Sequence, residues 1–171
     1  MTVKGIVGML VLMLPSITAS AQQPGSYAYA FGGPVVVPRS AFTRWNGNFV
    51  HVGGGAEGRL MDRFALGGEL AVLKPLTNRD AITTGLVSVT PAYHFISRES
   101  RRKIDPFADG GLSLLFGSGG ALAFHYGGGL NYWVWRRVGL RFEFRHHLWS
   151  PEAGEAIHLV GIRVGIAFRR G

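Results

Sequence analysis

In the stretch Val138–Trp149, V-G-L-R-F-E-F-R-H-H-L-W, apolar and charged residues alternate. Successive side chains of an extended strand point to opposite sides. Val138, Leu140, Phe142, Phe144 and Leu148 therefore share one face, and Arg141, Glu143, Arg145 and His147 share the other. A helix would need its apolar residues three and four apart. The stretch is a β-strand with a greasy side and an ionic side. The fold turns on which of the two faces the inside.

Seven further segments alternate in the same way: 26–37, 48–60, 64–73, 85–95, 106–116, 121–135 and 156–168. In 48–60, Val50, Val52, Ala56 and Leu60 oppose His51, Gly53, Gly55, Glu57 and Arg59. In 156–168, Val160, Ile162, Val164, Ile166 and Phe168 oppose Gly161, Arg163, Gly165 and Ala167. The first segment sets Tyr27, Tyr29, Phe31, Val35 and Val37 against Ala28, Ala30, Gly32 and Pro34. Each strand has about 10 residues, the length a tilted membrane-crossing strand requires. No segment has a helical period, so the reading is all-β. Pro91 cannot donate a ladder hydrogen bond, which predicts a bulge or a local break.

The chain has 171 residues, a net charge of +8, 26 glycines and no cysteine. Residues 1–21 read as a cleaved signal peptide, with Lys4, the apolar run from Ile6 to Ile17, and Ala19-Ser20-Ala21 at the cleavage spacing. Residues 22–171 then form one exported domain. Without disulfides it must gain stability elsewhere. The apolar fraction of 47% against 16% charge is high for a soluble exported protein. Arginines scattered along strands fit nucleic acid poorly, and contact with anionic lipid head groups suits the location better.

Glu57, Arg59, Glu69, Asp109, Arg141, Glu143, Arg145 and Arg163 all fall on the small or polar sides of their strands, among glycines. An eight-stranded barrel has an interior just wide enough for side chains. Buried charges persist only when paired. Four acids and four arginines can pair across such a lumen, which predicts an ion-pair plug with the apolar faces outward. Tyr27, Tyr29, Tyr93, Phe95, Tyr132 and Phe168 are expected at one rim as an aromatic girdle. The turns at 61–63, 96–105 and 136–137 belong to that rim with both termini. The loops at 38–47, 74–84, 117–120 and 150–155 belong to the other.

The runs D-P-F-A-D-G-G-L from Asp105, F-H-Y-G-G-G-L-N-Y-W-V-W-R-R-V-G-L-R-F-E-F-R from Phe124 and H-L-V-G-I-R-V-G-I-A-F from His158 carry a resemblance. The chain resembles the small eight-stranded outer-membrane β-barrels of Gram-negative bacteria, porin-like proteins related to the OmpA-type membrane domain. The resemblance covers roughly residues 22–169. It implies an antiparallel up-and-down transmembrane barrel in the outer membrane, monomeric, with both termini periplasmic. It also implies outer-membrane lipids as surroundings and insertion by the barrel-assembly machinery through a C-terminal strand ending in an aromatic residue, here Phe168. Arg169-Arg170-Gly171 follow, where the family often stops at the aromatic.

Some barrels of this kind are lipid A deacylases, with a His-x-Ser-Asn signature at a strand end. Here the order is His147-Leu148-Trp149-Ser150-Pro151, one residue longer and without Asn. His147, Ser150 and Glu152 are thus candidates for a hydrolase alternative only, since residues three apart do not share a strand face. His146 and His158 fall outward near the same rim, but two ligands make a weak metal site. The glycine runs lie inside strands with no helix following, so they are not phosphate loops. No cofactor or metal is expected. The leading expectation is a non-enzymatic barrel with a structural or interaction role and a narrow or plugged lumen. The alternatives are a lipid A deacylase-type hydrolase and an exported soluble barrel that binds an apolar ligand.

Overall fold

A computed structural model describes residues 25–38, 47–76, 83–97, 99–100, 102–117, 120–149 and 156–169. The expected signal peptide lies outside them, as do Ser150 and Glu152. Eight strands follow one another: β1 (Tyr27–Val37), β2 (Gly47–Arg59), β3 (Phe64–Pro75), β4 (Thr84–His94), β5 (Ile104–Phe116), β6 (Ala121–Trp133), β7 (Val138–Trp149) and β8 (Ile157–Arg169). Each pairs antiparallel with the next, and β1 pairs with β8, so the sheet closes into an up-and-down barrel. No sheet edge is left open to pair with another chain. Tyr27 lies opposite Arg169, which brings the start of β1 and the end of β8 to one rim.

Three strand ends differ from the sequence reading by two residues. The first is that of β3, which runs on to Pro75 where the sequence reading sets a loop from Lys74. β5 starts at Ile104, so Asp105 is a strand residue and not part of the connector. The run Asp105-Pro106-Phe107-Ala108-Asp109 alternates, and all three odd positions are buried. β6 ends at Trp133, and the turn spans 134–137, closed by Trp135 N–H donating to Val138 O at 3.0 Å.

Along β7 the charged side is buried and the apolar side exposed. Arg141, Glu143, Arg145 and His147 are each 4% exposed or less, whereas Leu140, Phe142 and Phe144 are open to the surroundings. β2 to β6 and β8 follow the same polarity.

β1 corrects the expected girdle. Tyr27 and Tyr29 are 2% and 5% exposed and point into the barrel with Phe31, Val35 and Val37. Directly paired residues share a sheet face, and the register sets Tyr27 opposite Glu57 and Tyr29 opposite Gly55. The β1 rings are therefore tied to the charged face of β2. β1 carries no charge, so its alternation defines two faces without saying which is inner. Tyr93, Phe95, Tyr132 and Phe168 do lie on the outer wall near the rim of the termini, joined by Phe64 and Trp135.

Pro91 produces a local break without a bulge. β4 pairs with β5 at Val89↔Leu112 and again at Ala92↔Asp109, with the register unchanged across the gap. Pro34 does the same between β1 and β8, where pairing stops at Gly32↔Val164 and resumes at Val35↔Gly161. Each proline keeps its pairing on the other side, Pro91 with Leu66 and Pro34 with Val50.

Inward glycines permit the tight wall curvature. A Cβ on Gly127 would lie 2.2 Å from Phe144 O, and one on Gly129 would lie 2.0 Å from Phe142 O and 2.9 Å from the Phe107 ring. These clashes involve backbone, which cannot swing aside. Gly127→Ala is expected to lower stability by about 1–3 kcal/mol, the usual cost of overpacking, in equilibrium urea unfolding from lipid vesicles. Gly120, with nothing within 4 Å of its Cβ position, is the control, and Gly120→Ala should leave the midpoint unchanged.

Candidate functional site: the lumen

The interior is filled by side chains in four tiers. The tier nearest the termini is built around His94 at the end of β4. Its Nε2 lies 2.6 Å from Glu57 Oε1 and its Nδ1 lies 3.0 Å from both Asp105 oxygens. Carboxylates only accept, so the imidazolium form satisfies both sides. Arg59 Nη2 donates to Asp105 Oδ2 at 3.0 Å. Its Nη1 donates to Asp62 O at 2.9 Å and Ile96 O at 3.2 Å. One guanidinium thus ties the turn after β2 and the connector after β4 to the lumen.

The middle tier is a continuous ionic network. Arg141 Nε donates to Glu143 Oε2 at 2.9 Å, and its Nη1 donates to the Tyr27 hydroxyl at 2.7 Å. Arg145 lies between Glu69 (3.3 Å), Asp109 (3.0 Å) and Glu143 (2.7 Å). Arg163 pairs with Glu69 at 2.7 Å and also with Glu143. Tyr29 donates its hydroxyl to Glu69 Oε2 at 3.2 Å. Aromatic faces flank the guanidinium groups. Arg141 sits 4.0 Å over Phe107 and 4.5 Å over Tyr29, and Arg163 sits 4.0 Å over Phe31. Cation–π contact is strongest where, as here, water is excluded.

Above it, towards the loop rim, His125 bridges Thr90 Oγ1 at 3.1 Å and Ser113 Oγ at 2.9 Å, and Ser113 reaches Ser88 at 2.8 Å. His51 and His147 pack beside it, with the His147 ring 5.4 Å from His125 and 6.0 Å from His51. The last tier is apolar. Val35, Val37, Leu73, Leu86, Leu115, Ile157 and Leu159 are buried there, with Phe49 and Trp149 packed against them.

All eight residues expected in the lumen lie within it, and each has a partner. Their grouping differs from the expected single network. Glu57 and Arg59 belong to the tier nearest the termini, with His94 and Asp105, and the other six form the middle tier. Among the described residues, five buried carboxylates face four buried guanidinium groups and the His94 imidazolium. Sequence reasoning overlooks Asp105, although the D-x-F-x-D alternation marks it. It also overlooks the inward Tyr27 and Tyr29, Asn131, and the apolar tier. Asn131 supports the network by donating to the Tyr27 hydroxyl at 3.2 Å.

Of the residues in the hydrolase alternative, the described ones include His147, while Ser150 and Glu152 lie outside them. His147 is buried inside the barrel, 4% exposed, rather than lining an open rim. On the outer wall, Tyr126, His146 and His158 form a row. The Tyr126 hydroxyl is 2.6 Å from His146 Nδ1, and His146 Nε2 is 3.0 Å from His158 Nδ1. Among the described residues, no group of three or more His, Asp or Glu is arranged to hold a metal ion.

No protein-family model matches the chain, and no curated protein matches it. Solved structures do. Neisserial surface protein A superposes with a TM-score of 0.69 at 14% identity, over 85% of this chain and 97% of that one. The N-terminal β-barrel domain of Pseudomonas aeruginosa OprF gives 0.59 at 17% identity, over 86% and 100%. The outer membrane protein OprG from the same organism gives 0.58 at 8% identity, over 88% and 98%. At these identities the likeness is one of fold: this chain has the fold of the small eight-stranded outer-membrane barrels.

Glu143 touches three arginines, so its removal leaves buried charge uncompensated. Glu143→Ala is expected to cost about 3–5 kcal/mol, the range for breaking a buried pair from one side, measured by urea unfolding in vesicles. Lys103→Ala, on the exposed connector, should leave the unfolding midpoint in place.

Proposed function

We propose that this chain is an outer-membrane barrel of a Gram-negative cell envelope, with both termini in the periplasm, a structural or interaction role, and a lumen closed to ions. The observation that carries this reading is the inverted polarity of the wall. Leu70, Leu112, Phe142, Phe144, Ile162 and Val164 face outward and are exposed, while nine Asp, Glu and Arg side chains are buried inside. In water the exposed apolar surface would be far larger than a monomer normally carries. In a bilayer it is the required surface, and closure leaves no sheet edge unpaired in the absence of water.

The aromatic residues at the rim of the termini suit a membrane interface. Phe168 near the end of β8 suits recognition by the assembly machinery, and closure of the barrel edge suits a monomer. The lumen offers two successive barriers to a permeant ion, a cross-linked ionic network and then a tier of packed aliphatic side chains. A non-catalytic role is supported by the burial of His147 inside the barrel and by the pairing of the lumen acids with arginines and His94.

Two measurements test the reading. Phe142→Arg puts a charge on the lipid face and is expected to cost about 2–4 kcal/mol near the midplane. The folded, heat-shifted gel band in the membrane fraction should then be lost or weakened. Normal assembly of that variant, or a wild-type protein found only in the soluble periplasm, contradicts the reading. In planar bilayers the wild-type protein should pass no steady current, and a large steady conductance would refute the closed lumen.

A further inference from the structure

Among the described residues, the charge outside the lumen is concentrated at one rim. The buried charges of the lumen compensate one another. At the loop rim the only Asp, Glu, Lys or Arg among the described residues is Lys74. The rim of the termini instead carries Arg63, Arg102, Lys103, Arg136, Arg137 and Arg169, against Asp62 and Glu99. Five of the six cations are exposed, and Arg169 is half-buried. Among the described residues Arg63 has Asp62 at 3.8 Å, which also accepts a hydrogen bond from Ser97 at 2.6 Å, and Arg169 and Arg102 line a pocket that includes Asp105.

These cations do not form one patch. They sit on the turn after β2, the connector after β4, the turn after β6 and the end of β8, with Arg102 and Arg169 lining one pocket beside Arg59 and Asp105. Three of the four groups follow or precede a residue of the aromatic belt of the outer wall in sequence. Arg63 precedes Phe64 and donates to the Tyr93 hydroxyl at 3.3 Å. Arg136 follows Trp135, which is 69% exposed. Arg169 follows Phe168 in sequence, but its guanidinium turns inward, 4.0 Å over the buried Trp133 ring, and donates to Arg136 O at 2.8 Å.

We propose that this rim is a docking surface for anionic phospholipid head groups of the leaflet that surrounds it, with preference over zwitterionic lipid. The inference rests on the membrane placement proposed above. A ring of aromatic residues with cations just beyond it matches a lipid annulus, with acyl chains against the rings and phosphates at the guanidinium and ammonium groups. A soluble polyanion would call for a concentrated patch. Each Lys or Arg near an anionic surface contributes up to about fivefold in association, and the effect falls away with salt screening.

The test uses the full chain folded into phosphatidylcholine vesicles with a minor fraction of phosphatidylglycerol. Spin-labelled forms of the two lipids report their relative association with the barrel. The wild-type protein should favour phosphatidylglycerol several-fold at low salt and lose that preference at high salt. The combined variant Arg102→Gln, Lys103→Gln, Arg136→Gln and Arg137→Gln should bring the ratio close to one, and Lys74→Gln should not. Equal association of both lipids with a wild-type barrel whose heat-shifted band shows it folded overturns the proposal. So does a preference that survives the four substitutions. If those substitutions abolish binding of soluble polyphosphate while the lipid ratio stays unchanged, the rim serves a soluble anion and the lipid assignment falls. Absence of a folded band in every vesicle overturns the membrane placement and this inference with it.

Discussion

A carboxylate inside a narrow barrel has no water to turn to, and the rest of this structure follows from that. Glu69, Asp109 and Glu143 lie in the middle of the lumen and are almost inaccessible. Their charge is met by Arg141, Arg145 and Arg163, which arrive from β7 and β8. The acids come from β3, β5 and β7. The network therefore links strands on opposite sides of the barrel and sets their mutual register. A slip of one residue in any of them would place a charge against lipid. Pairing of this kind is weak evidence of net stability, because desolvation offsets much of the attraction. Its stronger consequence is specificity: one register satisfies the charges and its neighbours do not.

The same constraint orders the other contents of the lumen. Phe31, Tyr29 and Phe107 lie against the guanidinium planes and occupy space the charged groups leave. Glycines on the paired strands let those rings and the partner backbone approach. Towards the loop rim no charge remains to be met, and aliphatic residues fill the barrel directly. Two different chemistries thus fill the lumen in succession, and no single substitution removes both.

Most of the fold was legible in the sequence because charge labels a strand face. β7 carries Arg141, Glu143 and Arg145 on alternate positions, so both its structure and its polarity can be read directly. β1 carries no charge, and its faces differ only in side-chain size. Hydrophobicity then favours the outward assignment for Tyr27 and Tyr29, and only the register against Glu57 and Gly55 reverses it. Asp105 escaped because it adjoins an arginine-rich connector, where a carboxylate reads as solvated. His94 stood on the polar face of its strand, yet its role depends on Glu57 and Asp105, which are distant in sequence and meet it only after closure. The apolar tier was hidden for a related reason. Leu73, Leu86 and Leu115 stand near strand ends beside other apolar residues, Val72, Val87 and Leu114, so their faces are ambiguous until the barrel closes.

The central claim is that the wall is inverted, with ions inside and lipid outside. The chain has no cysteine, so single cysteines can be placed at Leu140, Phe142, Phe144, Ile162, Val164 and Ile166 and spin-labelled in vesicles. The account predicts strong relaxation by oxygen, which concentrates in the acyl region, and little by a water-soluble nickel chelate, with the contrast greatest in mid-strand. Ready access of the nickel chelate to Phe142, Phe144 and Val164 would contradict it, because that wall would then face water.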